Sequence, residues 1–390
     1  MAGAPATASG RAGVAAVRPG STTAGTGGRR RTPLWAKLVL TVGVLLLLAS
    51  GGTIVSVEVM LARYADNVEQ SDLLGAAAAV EQGKNLEGPI NLLLFGVDEQ
   101  GDGVRADTII VLHIPATHDQ IYLISVPRDT WVDVPPYEPS GYFGGQSKIN
   151  SVFGYGAQNG GDWQGGAQLV ALTLHQLTGL RFNGAAIVNF DGFKDIIDEL
   201  GGVEMCINDP AYSEHIVLVD GEPTGIGRAR REGLYYEQVR YEIGCQHLAG
   251  WQALDYARQR KNLESGDGDY GRQRHQKQLL AAMADKATSR GVITNPGKLD
   301  GLLRAAGDAL IVDTNDVPLI DFIFTLKGLA TGDIISINTN LGEYNSGQVG
   351  DQSVEFLTPE SLLMFQAAAD DTMAEFLLNN PDFIEAPDNR

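Results

Sequence analysis

The chain has 390 residues, of which 44% are hydrophobic and 20% are charged, so it can bury a core and form at least one sizeable domain. Its formal net charge is −19, and an acidic body repels nucleic acid, which argues against duplex binding by the main domain. Two cysteines, and six histidines without a His-Glu-x-x-His motif, argue against a cysteine-rich zinc module and a zinc hydrolase.

The N-terminal segment differs from the rest of the chain in charge and composition. Residues 1–37 carry six basic side chains and no acidic one, so the other 353 residues hold 23 basic and 48 acidic groups, a net charge of −25. Residues 1–32 are rich in Gly, Ala, Thr, Ser and Arg and show no apolar periodicity. We predict that they form a disordered cytoplasmic tail.

Residues Leu38–Val57 are twenty consecutive positions without a charge, enough to cross a hydrocarbon layer of about 30 Å as a helix. We predict a single transmembrane helix over residues 34–58. The apolar run is too long and begins too late for a cleaved signal peptide. Basic residues precede the run and acidic residues follow it, so the positive-inside rule predicts a type II protein with its main body outside the cytoplasm. Residues 59–87 are predicted to form a helical stalk.

The pattern changes at Ile90, where short apolar, β-branched runs bounded by Gly, Pro and Asp begin to alternate with amphipathic segments. This alternation predicts one layered α/β domain over residues 88–380. In the segment 191–202, Asp191 is the expected helix N-cap and a glycine pair the stop. The predicted strands are 90–97, 107–114, 121–127, 185–190 and 203–208, and the predicted helices are 165–178, 191–202, 248–259, 270–288, 296–306 and 359–378.

Two familiar ligand motifs are absent in their working form. Gly101–Ala106 matches the loose Gly-x-Gly-x-x-Ala pattern but continues into a strand, whereas a dinucleotide site needs a helix N-terminus there. Asp267 and Asp269 lack the other ligands of an EF-hand loop.

Arg and Asp recur together at the predicted ends of strands and helices, where α/β proteins place their ligand sites. Any single pair is explained by a surface salt bridge worth ~0–1 kcal/mol. As a set, they fit carboxylates that hold a divalent cation beside guanidinium groups that bind a phosphate. The set comprises Asp98, Asp107, Arg128, Asp129, Lys148, Arg258, Arg260, Asp269 and Arg272.

Arg258 and Arg260 are two residues apart, which places them about 200° apart on an ideal helix. Either the helix unwinds at Gln259 or one arginine is a surface charge. Glycines 266, 268 and 271 lie just beyond and favour unwinding.

Seven segments in register behind the single predicted span give the chain a resemblance to the LytR–CpsA–Psr family. Any one of them is weak, but together they extend over most of residues 88–290. They are NLLLFGVD (91–98), RADT (105–108), ISVPRDT (124–130), KIN (148–150), NFDGFKDIIDELGGVEM (189–205), LAGWQALDYARQR (248–260) and GDYGRQRHQKQ (268–278).

The resemblance implies a layered mixed β-sheet flanked by helices, with a polyprenyl-phosphate lipid in an apolar tunnel. Helix 165–178 and strand 185–190 either line this tunnel or form ordinary core. The resemblance also implies that Asp98 and Asp107 bind Mg²⁺ (or Mn²⁺) on the pyrophosphate. Asp129 and Asp269 are candidate general bases or orient the arginines. The implied phosphate-binding residues are Arg128, Lys148, Arg258, Arg260, Arg272 and Gln276, and the implied catalytic residues are Arg128, Arg258, Arg260, Asp129 and Asp269.

The chain departs from the family pattern at two points. Ala106 stands where many members have serine, which leaves the carboxylate of Asp107 in place. His275-Gln276-Lys277 stands where many have Arg-Gln-Gln, so a phosphate contact by position 275 does not carry over.

Cys206 and Cys245 look like the cysteine pair of the actinobacterial branch, and a disulfide between them agrees with an oxidising, extracytoplasmic location.

The implied activity is the transfer of a glycopolymer with its linking phosphate from a polyprenyl-pyrophosphate carrier to a MurNAc hydroxyl of peptidoglycan. Polyprenyl phosphate is released, and no nucleic acid takes part. Three alternatives stay open: a polyprenyl-pyrophosphate hydrolase, a non-catalytic lipid or glycan binder, and a membrane-bound transcription attenuator. The last would need the 37-residue tail to bind nucleic acid, although the tail contains no folded motif.

Overall fold

The computed structural model describes residues 68–79, 88–100, 103–289, 295–317 and 333–385. The predicted tail, the predicted transmembrane helix and most of the predicted stalk lie outside these ranges. Within them, no helix combines the length and the apolar character needed to cross a membrane.

The described residues form strands and α-helices that are numbered here along the chain. The strands are β1 Glu69–Gln70, β2 Ile90–Gln100, β3 Gly103–Ile114, β4 Gln120–Ser125, β5 Trp131–Val134, β6 Gly145–Lys148, β7 Gly184–Asn189, β8 Val203–Ile207, β9 Ala211–Val219, β10 Glu222–Gly225, β11 Glu237–Tyr241, β12 Gly244–Leu248, β13 Leu310–Asp313, β14 Asp333–Ile337, β15 Ser346–Val349 and β16 Gln352–Glu355. The helices are α1 Ile149–Gly156, α2 Asp162–Thr178, α3 Phe190–Glu199, α4 Ile226–Glu232, α5 Gly250–Tyr256, α6 Gly268–Thr288, α7 Pro296–Ala309, α8 Pro359–Ala369 and α9 Met373–Asn379.

A mixed seven-stranded sheet, in the order β1-β13-β7-β2-β3-β4-β14, is the centre of the domain. β2 pairs in parallel with β7, and β4 pairs in parallel with β14, whereas β2–β3 and β3–β4 are antiparallel. The predicted layered α/β domain with a mixed sheet is confirmed.

The two faces of the sheet differ, because successive side chains of a strand point to opposite sides. On one face Leu93 and Phe95 are fully buried in the main core, where the ring of Phe95 lies 6.1 Å from that of Phe153 in α1. On the other face, Leu94 and Val188 are only partly buried and border a cavity. The sheet therefore has one closed face and one open face.

Residues 68–79 are part of the domain, so the predicted helical stalk is wrong for this part of 59–87. β1 pairs with β13, and a short 3-10 turn follows at Gly75–Ala77. Leu73 and Leu74 are fully buried, and their backbone N–H groups donate to a carboxylate oxygen of Asp313 at 2.8 and 3.0 Å. An apolar segment gains more by covering the core than by standing in solvent.

Several helix boundaries differ from expectation. The cap of α3 is Asn189, whose side chain accepts from the backbone N–H of Gly192 at 2.6 Å, and not Asp191. The helix predicted at 248–259 ends at Tyr256. The helix predicted at 359–378 divides into α8 and α9 because Asp371 adopts a positive φ of 56°.

A second core lies beneath α5 and α6 and includes residues of β8, β9, β11 and β12. The predicted disulfide is present here: Cys206 of β8 and Cys245 of β12 are direct cross-strand partners and are bonded. The three-stranded sheet β10-β9-β11 and the hairpin β15–β16 had no counterpart in the sequence analysis.

Candidate functional site

Asp107 lies at a β-bulge between β2 and β3. Gly96 is paired with Thr108 and Val97 with Ala106, so Asp107 has no partner on β2. Bulges of this kind redirect a side chain and occur often beside active sites. A Cβ on Gly96 would lie only 2.8 Å from Cβ of Thr108, so the close approach of the two strands requires glycine.

For Asp98, the other predicted metal ligand, the structure describes only the position of the backbone. It pairs with Arg105 in the ladder, one position past the bulge. Its side chain lies outside the described part of the structure. Among the described residues, no group of three or more His, Cys, Asp or Glu is arranged to hold a metal ion.

Arg128, just after β4, is surrounded by three carboxylates. Its Nη1 donates to Oδ1 of Asp107 at 2.9 Å. Its Nε lies 3.5 Å from Oδ1 of Asp269 and 3.6 Å from Oδ2 of Asp129. Burial lowers the pKa of Arg128, but the three negative charges raise it further than burial lowers it, so the guanidinium stays charged.

Arg272, in the first turns of α6, is the most buried cation of the cluster. Its Nη2 donates to the backbone oxygen of Asp107 at 2.8 Å and lies 2.8 Å from Oδ1 of Asp269. Burial lowers its pKa most, Asp269 opposes this, and the positive charges of Arg128 and Arg260 lower it again. Arg128 and Arg260 are therefore each close enough to repel Arg272.

Two buried donors of this cluster point to an anion. Among the described residues, neither Nε of Arg128 nor Nε of Arg272 makes a hydrogen bond, although Nε of Arg128 faces Asp269 and Asp129 at ion-pair distance, and Oδ1 of Asp269 makes no hydrogen bond either. Buried polar groups without partners are rare and costly in proteins, so a pair of them in one place indicates a ligand. The fork geometry of guanidinium suits the oxygens of a phosphate.

Lys148 and Asp129 extend the cluster toward α1. Nζ of Lys148 lies 2.9 Å from Oδ1 of Asp129. The backbone N–H of Asn150, at the start of α1, donates to the carbonyl oxygen of Arg128 at 3.1 Å. The start of α1, which begins at Ile149 directly after Lys148, therefore holds the loop that carries Arg128 and Asp129.

Of the two alternatives for Arg258 and Arg260, the structure supports unwinding, but the helix ends at Tyr256, before Arg258, and not at Gln259. The N–H groups of Arg258 and Gln259 close turns onto Asp255 and Tyr256, both at 3.1 Å. The buried side chain of Gln259 accepts from the N–H of Glu214 at 2.8 Å.

The loop that follows is held by Glu214. Its carboxylate accepts the backbone N–H of Arg260 at 2.9 Å and that of Lys261. The positive charge of Arg260 contributes to lowering the pKa of Arg272, so Arg260 lies near the charged cluster.

Arg258 lies in an adjoining cavity of about 80 Å³ on the open face of the sheet, between the sheet and helices α3, α5 and α6. The cavity also contains Gln276 and Thr108, the neighbour of Asp107, so it adjoins the charged cluster. The helix predicted at 165–178, which is α2, contributes Leu169 and Leu174 to the main core and not to this cavity. In the strand predicted at 185–190, Val188 lines the cavity. The remaining lining is apolar and includes Leu94, Phe193, Leu254, Leu279 and Leu280.

His275 does not reach the charged cluster. It is fully buried, its ring stacks on Tyr256 with centroids 4.2 Å apart, and Nε2 lies 3.0 Å from the Tyr256 hydroxyl. Burial, with a smaller effect of Arg274, lowers its pKa to about 3. The departure from the family pattern at this position therefore serves packing.

Tyr344 and Glu355 support the cluster through backbone contacts that the sequence analysis missed. The Tyr344 hydroxyl accepts from the N–H of Asp269 at 2.7 Å and donates to the carbonyl oxygen of Asp267 at 2.8 Å. The N–H of Glu355 donates to the carbonyl oxygen of Asp129 at 2.9 Å. No local motif marks either residue, because both act on main-chain atoms far away along the chain.

Comparison with known proteins identifies relatives of this chain. The LytR_cpsA_psr family model matches residues 57–362. The polyisoprenyl-teichoic acid–peptidoglycan teichoic acid transferase TagU of Oceanobacillus iheyensis is 32% identical over 286 residues, which are 70% of this chain and 76% of TagU. The cell wall biosynthesis protein LcpA of Corynebacterium glutamicum is 27% identical over 340 residues, 77% of this chain but 59% of LcpA.

Among solved structures, the crystal structure of protein gbs0355 from Streptococcus agalactiae matches with a TM-score of 0.56. The match covers 74% of this chain and 88% of that protein at 20% sequence identity. At this level of identity the likeness establishes a shared fold.

Proposed function

Because this chain belongs to the LytR–CpsA–Psr family, we propose that it transfers a glycopolymer with its linking phosphate from a polyprenyl-pyrophosphate carrier to peptidoglycan. A hydroxyl of a MurNAc residue is the acceptor, and polyprenyl phosphate is the leaving group. The observation that carries the proposal is the cluster of Arg128 and Arg272, whose buried Nε donors make no hydrogen bond within the described residues, beside an apolar cavity.

The two neighbouring environments match the two parts of the carrier. The pyrophosphate binds among Arg128, Arg260 and Arg272, where Arg128 and Arg260 each otherwise repel Arg272. The prenyl chain enters the apolar cavity, with Arg258 and Gln276 as its polar members. A soluble sugar phosphate would leave this cavity unused.

Phosphoryl transfer depends mainly on positioning and on the stabilisation of charge. The arginines stabilise the charge that develops on the phosphate oxygens. We assign Asp129 as the base that receives the proton of the acceptor hydroxyl, since its side chain is 35% exposed, against 13% for Asp269. Asp269 lies between Arg128 and Arg272 and orients both.

A divalent cation, Mg²⁺ or Mn²⁺, is part of the proposal. Asp107 offers a hard oxygen ligand at the bulge, and the ladder places Asp98 nearby on β2. Mg²⁺ binds one or two protein carboxylates and completes its shell with water and substrate phosphates, so this small donor set is sufficient. When bound, the ion neutralises charge on the pyrophosphate.

We also propose that the domain works outside the cytoplasm, anchored by the apolar segment 34–58. The basic residues before this segment and the acidic residues after it support this orientation. The Cys206–Cys245 disulfide supports an oxidising compartment.

The direct test supplies the full chain with a polyprenyl-pyrophosphate-linked glycopolymer and peptidoglycan oligomers. The expected product is a covalent glycan–phosphate–peptidoglycan adduct with release of polyprenyl phosphate. Release of free glycopolymer phosphate without any adduct would identify a hydrolase instead. Omission of the divalent cation tests the metal separately.

A further inference from the structure

A second cleft, polar and much larger, lies on the β9–β11 side of the domain. It encloses about 370 Å³, and it is lined in part by Tyr212, Arg230, Gln238, Lys261 and Asn262. Its volume falls within the range of small-molecule and oligomer sites, and its lining offers charged, amide and aromatic groups together. None of these residues belongs to the phosphate cluster.

The cleft carries positive charge that the rest of the chain does not neutralise. Arg230 and Lys261 are exposed, and neither forms an ion pair within the part of the chain that the structure describes. Glu214 also lines the cleft, and its carboxylate, which accepts the backbone N–H groups of Arg260 and Lys261, offsets one of the two positive charges, so the lining keeps a net charge of +1. Outside residues 1–37, 48 acidic groups outnumber 23 basic ones, so a net positive charge in one cleft favours an anionic ligand.

The aromatic wall of the cleft is held in a fixed orientation. Nη1 of Arg240 donates to the Tyr212 hydroxyl at 2.8 Å, and its guanidinium carbon lies 4.8 Å from the centre of the Tyr212 ring. Arg240 is itself paired with Glu242 at 2.8 Å. A pre-oriented ring loses little entropy when a ligand packs against it.

The cleft lies next to the phosphate site along the chain. Arg260 lies near the charged cluster and Lys261 lines the cleft, and consecutive Cα atoms are about 3.8 Å apart. Glu214 fixes both residues through their backbone N–H groups. The cleft therefore adjoins the loop that carries Arg258 and Arg260.

We propose that this cleft binds the acceptor, as a stretch of saccharide that bears carboxylate groups. Arg230 and Lys261 would bind the carboxylates, Gln238 and Asn262 the hydroxyl and amide groups, and Tyr212 the apolar face of a sugar ring. The proposal rests on the transfer reaction proposed above, in which the lipid carrier occupies the cavity and the arginine cluster. The acceptor needs a separate site that reaches the same phosphate.

The test compares the double variant Arg230→Ala/Lys261→Ala with the natural chain in full-length form. At saturating lipid carrier, the KM for peptidoglycan oligomers with intact stem peptides should rise about tenfold, while kcat and the KM for the carrier stay within about twofold. The matched control is Arg228→Ala, on the same helix α4, because Arg228 is exposed and already paired with Glu232 at 3.0 Å. Arg228→Ala should leave all three constants unchanged.

Binding of the same oligomers, measured by calorimetry without any carrier, separates this proposal from the reaction. The double variant should bind about tenfold more weakly than the natural chain. Equal binding, absence of binding to the natural chain, or a rise in the KM for the carrier alone would overturn the cleft assignment. If the natural chain only hydrolyses the carrier, the proposed transfer fails, and calorimetry still decides the role of the cleft.

Discussion

Asp107 and Arg128 form a hydrogen bond of 2.9 Å that joins the bulge of β3 to the segment just after β4. The β3–β4 ladder pairs Ile110 with Ser125, and the N–H of Val126 donates to the carbonyl oxygen of Ile109 at 2.9 Å. Continuing this register places Arg128 opposite Asp107. The antiparallel register thus brings together two residues that are 21 positions apart in the sequence.

Replacement of Arg128 should have a large effect on turnover. Arg128→Ala removes a guanidinium that stabilises the developing charge, and one such donor is worth about 3 kcal/mol, or roughly a hundredfold in kcat. Arg128→Lys keeps the charge but not the fork, so it should restore only part of the rate. Steady-state assays of adduct formation provide the measurement, and full activity of Arg128→Ala would rule out its assigned role.

Loss of Asp269 should destabilise the fold. Asp269→Asn leaves the deeply buried Arg272 without its counter-charge, which should lower the free energy of unfolding by about 3 kcal/mol. The matched control is Glu232→Gln, which breaks an exposed pair on α4 and should cost less than about 0.5 kcal/mol. Urea denaturation of the two variants gives the comparison, and equal losses would contradict the interpretation.

The hydroxyl of Tyr344 should affect kcat by positioning Asp269. Tyr344→Phe keeps the ring but removes the hydroxyl that holds the N–H of Asp269, so kcat should fall about tenfold while both KM values stay nearly constant. The free energy of unfolding should fall by only about 1 kcal/mol. Tyr235→Phe, at a side chain that is 95% exposed, is the control. An unchanged kcat in Tyr344→Phe would show that the contact is purely structural.

Gly96 should tolerate no side chain. Gly96→Ala places a Cβ 2.8 Å from that of Thr108 and should cost about 1–3 kcal/mol, with a loss of activity as the bulge shifts Asp107. Gly103→Ala, in the same hairpin but with open space around it, should be neutral. Thermal unfolding and transfer assays on both variants test the difference. Equal behaviour would mean that the strands move apart at no cost.

Stability should fall on mild acidification because of His275. Its pKa is about 3 in the folded chain and about 6.5 when unfolded, so only the unfolded chain takes up this proton between those values. The free energy of unfolding should therefore decrease as pH falls from 6.5 to 5, by about 1.4 kcal/mol per pH unit for each such proton. In the variant His275→Gln, the number of protons taken up on unfolding should be smaller by about one, so the dependence of the unfolding free energy on pH should be weaker. Denaturation at several pH values measures this dependence.

The sequence motifs predicted which charged residues meet, because each motif lies at the end of a strand or helix that the sheet topology brings to one place. Asp107, Arg128, Asp129, Asp269 and Arg272 all lie in one cluster. The mixed sheet, the unwound loop at Arg258 and the disulfide also agree with expectation. The catalytic and metal-binding roles of these residues, and the membrane anchor, stay predictions.

Other features had no readable signal along the chain. The apolar composition of residues 68–79 suits a stalk helix as well as a core segment, and only the tertiary fold decides between them. The bulge at Asp107 depends on the register of two strands, which no single strand encodes. Tyr344 and Glu355 reach the cluster through main-chain atoms, so their side-chain types carry no mark of that role.

The contrast between the closed and the open face of the central sheet determines where the prenyl chain of the proposed carrier would be accommodated. On the α1–α2 side, buried aromatic and aliphatic side chains pack against one another in the main core. On the side of α3, α5 and α6, the sheet instead borders the apolar cavity. Close packing and free volume thus lie on opposite faces of a single sheet, so a hydrocarbon that enters the cavity would leave the packing around Phe95 undisturbed.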